Sequence, residues 1–129
     1  MSGSYDSANR LRTYSGFKPS SYNTELTMDG TAQSVALATG VKLGNGKVRI
    51  VNKGVTTEAI RVAFGSTAAS AEAGLTIASA AATTGLWIGS AADGYAAEVI
   101  LDVPATASYI AVANAVASDT QTVELTQGV

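Results

Sequence analysis

From residue 24 onward the chain runs in short segments in which apolar and polar residues alternate, separated by Gly, Asn, Asp, Ser and Thr. A period of two places successive side chains on opposite faces of a strand. In Lys47–Asn52, Val48 and Ile50 face one way and Arg49 the other; in Glu58–Phe64, Ile60, Val62 and Phe64 share a face opposite Arg61. The linker Lys53-Gly54-Val55-Thr56-Thr57 between them predicts a hairpin. Glu98–Val103 turns Val99, Leu101 and Val103 inward with Glu98 and Asp102 outward, and Tyr109–Val112 and Gln121–Thr126 bury Ile110, Val112, Val123 and Leu125. Thr24–Met28, Ala32–Leu37, Leu75–Ile77 and Leu86–Ile88 follow the rule more weakly. Roughly eight or nine strands at this spacing predict an all-β chain, an antiparallel β-sandwich that is jelly-roll-like. In the alanine-rich stretch Thr67–Gly85, Ser, Thr and Gly interrupt every turn, so a single helical turn over Ala68–Ala73 is expected, then a strand, then a loop over Ser79–Gly85.

Residues 1–22 break the pattern. They show no apolar period and are rich in Ser, Gly, Asn and Arg, yet hold Tyr5, Tyr14, Phe17 and Tyr22, four of the eight aromatic residues. Solvated tails lack aromatics, whereas docking segments use aromatic and Arg anchors. An extended N-terminal arm over 1–22 followed by a sandwich over 23–129 is therefore expected, with Tyr5, Arg10, Arg12, Tyr14, Phe17, Lys18 and Tyr22 as partner-binding residues. The other reading is a terminus lying partly on its own domain.

Composition sharpens this. The net charge of −2 divides into +2 on the arm (Arg10, Arg12, Lys18 against Asp6) and −4 on the remainder (five basic, nine acidic). An acidic domain argues against direct nucleic-acid binding. There is no histidine and no cysteine, which excludes disulfides, thiolate nucleophiles, zinc ribbons and serine triads in their usual forms. No catalytic residue, metal site or cofactor is assigned, and the chain is expected not to be an enzyme. No stretch reads as a signal peptide, and no apolar run reaches the roughly 18 residues of a membrane span, so a soluble protein made in a cytoplasm, with no membrane partner, is expected. Of the 60 apolar residues 24 are alanine, leaving 31 bulky aliphatic, Met, Phe and Trp side chains for a thin core.

Four constellations invite chemical readings. Gly44-Asn45-Gly46-Lys47 lacks the spacing of a phosphate loop, and Asn45-Gly46 predicts instead a type I′ turn joining Val41–Leu43 to the next strand. Asp93, Glu98, Asp102, Asp119 and Glu124 contain no calcium-loop pattern and read as a solvated face. Arg49 and Arg61, expected on adjacent strands and on one outward face, are either ordinary exposed charges or part of an intersubunit surface. Trp87 is either a core residue of a strand covered on both sides or an exposed contact, including a platform for a sugar ring.

Val48-Arg49-Ile50-Val51-Asn52-x-Gly54, Ile60-Arg61-Val62-Ala63-Phe64-Gly65, Ala73-Gly74-Leu75 and Val103-Pro104-Ala105 leading to Ser108-Tyr109-Ile110-Ala111-Val112 resemble, over residues 24–127, small structural proteins of tailed bacteriophages. With its separate arm the chain is most similar to capsid decoration (cement) proteins. The resemblance implies a β-sandwich on the outer surface of the virion capsid, assembled in the host cytoplasm, with the major capsid protein and further copies of itself (homodimer or homotrimer) as partners. The alternative is a tail or neck appendage, including a receptor- or glycan-binding module.

Overall fold

The computed structural model describes residues 17–53, 59–90, 97–116 and 121–129. Among the described residues ten strands and one short helix follow one another as β1 (Pro19–Met28), β2 (Gln33–Ala36), β3 (Lys47–Asn52), β4 (Ile60–Gly65), α1 (Ala68–Ala73), β5 (Ile77–Ala78), β6 (Ala81–Ala82), β7 (Leu86–Ile88), β8 (Glu98–Asp102), β9 (Tyr109–Asn114) and β10 (Gln121–Gly128). Eight of them form two antiparallel four-stranded sheets, ordered β1-β10-β3-β8 (the first sheet) and β2-β9-β4-β7 (the second). β5 and β6 pair only with each other. The chain is an all-β sandwich.

Alternation sets which side chains enter the sandwich. Val48 and Ile50, Val123 and Leu125, Ile60 and Val62, and Ile110 and Val112 are buried between the sheets with Met28, Leu37, Val41, Ile88 and Val103. β3 and β4, however, lie in different sheets and face each other across this core instead of pairing. The expected hairpin is thus corrected, although its linker over 54–58 lies outside the described residues. The physical reason is that alternation fixes which side of a strand is buried, and hydrogen-bonded neighbours satisfy it no better than facing strands.

The expected type I′ turn at Asn45–Gly46 is also corrected. The left-handed residues are Leu43 (φ 59°) and Gly44 (φ 80°), and Val41–Leu43 forms no strand. Its amides turn back to nearby carbonyls, Val41 N and Lys42 N donating to Ala38 O and Leu43 N to Ala107 O, while the Val41 side chain enters the core.

Outside the second sheet, residues 66–85 fold back as α1 and the β5–β6 ribbon. Ala63, Ala111 and Ala113 on the outer face of β4 and β9 let Ala71, Leu75 and Ala82 come close, forming a second small cluster. Thr67 caps α1 by accepting from Ser70 N at 3.1 Å, and the Thr67 N–H donates back to Ser70 Oγ at 3.0 Å. α1 spans the expected helical turn, whereas the strand expected at Leu75–Ile77 is only the two-residue β5 and the expected loop contains β6.

Inward-facing polar residues mark the two ends of the sandwich. At one end Gln121 Nε2 donates to Asn52 Oδ1 at 2.8 Å, and Asn114 Oδ1 accepts from Gly30 N at 3.0 Å. At the other, Gln127 reaches from β10 across to the chain leaving β2, with Oε1 accepting from Ala38 N at 2.7 Å and Nε2 donating to Ala36 O at 3.1 Å. This buried side chain ties the two sheets together as a length of strand would. Gln127→Leu, which keeps the size and deletes both bonds, is expected to cost about 2 kcal/mol in chemical denaturation, because the Ala38 and Ala36 backbone groups lose their partners; an unchanged midpoint would show that the tie does not hold the sheets.

Candidate interaction surface

The sequence singles out ten residues, and the structure gathers three of them at one corner. Lys18 and Val129 exchange backbone hydrogen bonds of 2.7 and 3.1 Å, continuing the β1–β10 ladder beyond Pro19. Phe17 is half-buried, its ring beside Gly128. Ser20, Ser21 and Tyr22 stand opposite the single Gln127, a bulge closed by Ser20 Oγ donating to Gln127 O (2.7 Å) and Tyr22 N donating to Ser20 Oγ (3.1 Å). Tyr22 is left 58% exposed. With Lys18, Val41, Gly128 and Val129 it lines a shallow cleft of about 140 Å³. The expected boundary between arm and sandwich at residue 22 therefore moves back: β1 starts at Pro19, because Lys18–Tyr22 find partners along β10. Tyr5, Arg10, Arg12 and Tyr14 lie outside the described residues.

Arg49 and Arg61 do not share a surface, which corrects the expectation of adjacent strands. They stand on the outer faces of opposite sheets, since β3 and β4 belong to different sheets. Arg49 is ion-paired with Glu98 on the neighbouring strand β8. Arg61 donates from Nη1 to Gly85 O at 2.8 Å, and its buried Nε has no hydrogen-bond partner. Trp87 stands directly across from Arg61 in the β4–β7 register and is 42% exposed on the sheet edge, with Leu86 exposed beside it. Of the two readings of Trp87, the covered one is overturned, because the ring is 42% exposed and so is not covered on its own face of the sheet.

The outer face of the first sheet is a ladder of cross-strand pairs. Lys47 pairs with Asp102 (3.5 Å), Lys53 with Glu25 (2.6 Å), and Asn23 Nδ2 donates to Glu124 (2.8 Å). The hydrogen bond to Glu25, followed by its charge, holds the Lys53 ammonium above its usual range. Glu98, Asp102 and Glu124 are thus tied to neighbours along a solvated face, while Asp93 and Asp119 lie outside the described residues. Among the described residues no three acidic side chains meet as a metal site, and no helix is long and apolar enough to cross a membrane.

No family model, curated protein or solved structure matches the chain. The surface must therefore be read from its own chemistry. Its described charges are mostly answered along the strands, and of its exposed large apolar side chains Tyr22 and Val129 share the corner cleft, Leu86 and Trp87 share the β7 edge, and Leu43, Ile77 and Val116 stand elsewhere. Such a surface holds partners by area and shape, the way aromatic anchors with a polar surround do. Two features escaped the sequence reading. Gln127 and Gln121 fall on inward parity in β10, a polar-in-core signal present in the alternation itself. Val41 and Val129 carried no such signal, because only the packing of the corner brings them beside Tyr22.

Proposed function

We propose that this chain is a non-enzymatic bacteriophage virion structural protein, a capsid decoration protein that binds the shell of the major capsid protein and stabilises the head. One observation carries the reading: the Lys18–Val129 backbone pair fixes a corner of the sandwich at which exposed Tyr22 lines an apolar cleft. Tyr22, Val41 and Val129 give this corner an apolar attachment surface, and the aromatic and Arg residues expected to bind a partner precede it directly in the sequence. The alternation of β1, β2, β3 and β4 between the sheets, resumed from β7 to β10, supports reading the sandwich as a jelly roll, an architecture shared by viral capsid and lectin domains. That support is by analogy of fold. Attachment repeated over a lattice needs only modest contacts per copy, because linked sites reinforce one another.

The test is removal of residues 1–16, which spares β1 and both Lys18–Val129 hydrogen bonds. Occupancy on phage shells lacking the protein is expected to fall at least tenfold while the domain stays folded. Full occupancy by the shortened chain would defeat the reading.

A second reading, a glycan-binding appendage of tail or neck, is favoured by the exposed Trp87, which stands opposite Arg61 in the β4–β7 register. It predicts binding on a glycan array that Trp87→Ala abolishes.

A further inference from the structure

The geometry points to β1 as a self-complementary edge, on which a second copy of this chain docks by antiparallel β1–β1 pairing about a two-fold axis at Thr24. This inference does not rest on the capsid reading, although Tyr22 takes part in both the β1 edge and the corner cleft.

The free hydrogen-bonding groups of β1 can be placed residue by residue. Lys53 N donates to Thr122 O at 2.8 Å, so Thr122 turns its backbone groups toward β3. Alternation along β10 then turns Val123 and Leu125 toward β1, onto their partners Leu26 and Thr24. Asn23, Glu25 and Thr27 consequently direct their N–H and C=O groups away from the sheet. The Thr27 carbonyl is satisfied by Gln33 Nε2 at 2.7 Å, which confirms the direction. The outward backbone groups of Asn23 and Glu25 have no partner among the described residues.

Bare edges are normally kept short, charged or covered. The other three edges obey this: β2 has four residues, β7 three, and β8 ends in ion-paired Glu98 and half-paired, exposed Asp102. β1 runs for ten residues, and Glu25 is the charged residue along it.

What selects a second copy is the pattern of side chains. With the two-fold axis at Thr24, Asn23 stands opposite the partner's Glu25, and Tyr22 opposite the partner's Leu26. Each Asn23 amide spends one N–H on Glu124 and keeps the other to meet the incoming carboxylate. Tyr22, 58% exposed, falls against a half-buried leucine. The two Asn23–Glu25 pairs exchange about four new backbone hydrogen bonds. Moving the axis to Glu25 sets carboxylate against carboxylate, an unfavourable cross-strand pair. The strand thus discriminates between registers of itself.

Sedimentation and amide hydrogen exchange on the full chain test the assignment. The expected species has twice the 13.0 kDa chain mass, with Asn23 and Glu25 amides protected as the concentration rises. Glu25→Pro deletes one outward N–H and leaves the β10 ladder intact, so it is expected to yield a folded monomer. Glu25→Ala keeps that N–H and is expected to remain a dimer. Asn23→Glu sets like charges across both pairs and is expected to weaken association about tenfold. A parent chain that is monomeric at every concentration overturns the proposal, as does a ring larger than two or a folded Glu25→Pro variant that still dimerises. Should Glu25→Pro not fold, the exchange data on the parent decide: fast exchange at Asn23 and Glu25 in the associated state overturns the assignment.

Discussion

Ile110→Ala is expected to lower the stability of the domain by about 4 kcal/mol, the upper part of the range for deleting a buried aliphatic side chain. Ile110 is fully buried on β9, between Val35 of β2 and Phe64 of β4, and points at the first sheet. Its neighbours cannot follow it into the void. The strands on either side are held in register by their ladders, and the residues flanking Ile110 on β9, Tyr109 and Ala111, face the other way, beneath α1 and β5–β6. A cavity therefore persists and adds to the lost transfer energy. Chemical denaturation should show the change as a lower midpoint at unchanged slope, and thermal melting as a fall of roughly 15 °C. Ile110→Val, which removes one methylene, is expected to cost about 1 kcal/mol. A loss of 1 kcal/mol or less for the alanine variant would mean that the two sheets are not packed through this residue.

Gly46→Ala is expected to cost about 3 kcal/mol by overpacking. A β-carbon there would press on the Gly128 carbonyl oxygen and come within 2.9 Å of the Val41 Cα. Both obstacles are backbone, so no side chain can swing aside. A β-carbon on Gly128 would in turn meet the Lys18 carbonyl and come within 2.9 Å of the Phe17 ring, so three separated lengths of chain stack at this corner. The variant should lose amide protection at Lys18 and Val129 before the rest of the sandwich. Gly40 provides the comparison: a β-carbon there meets nothing within 4 Å, and Gly40→Ala is expected to be neutral or slightly stabilising. Equal stability of the two alanine variants would overturn the packing described for the corner.

Strands such as β3, β4, β8 and β9 are legible because each sets at least two bulky apolar residues on its inward parity, and the charges that β3, β4 and β8 carry all fall on the other. What alternation could not supply was the pairing. Val48 and Ile50 satisfy the same core as Ile60 and Val62 whether the strands are neighbours or face each other, and the second arrangement is the one found. This displaced Arg61 to the opposite outer face from Arg49 and put it beside Trp87. In the sequence β1 shows only from Thr24, because Pro19–Asn23 has no apolar parity. A strand at the edge, bonded on one side and bulged, needs none. Nor does composition show where the alanines go: Ala63, Ala111 and Ala113 lie outside the main core, as the floor on which α1 and β5–β6 rest.

That floor gives the molecule two chemically unlike broad sides. The four lysines are Lys18, Lys42, Lys47 and Lys53; the last two stand among the paired charges of the first sheet, and none falls in the stretch that covers the second. An amine-directed reagent therefore meets Lys47 and Lys53 on the outer face of the first sheet and no lysine in the α1 and β5–β6 cover of the second. On any surface to which the protein attaches, the pattern of acylated lysines reports which way up it lies, without a tag or an added residue.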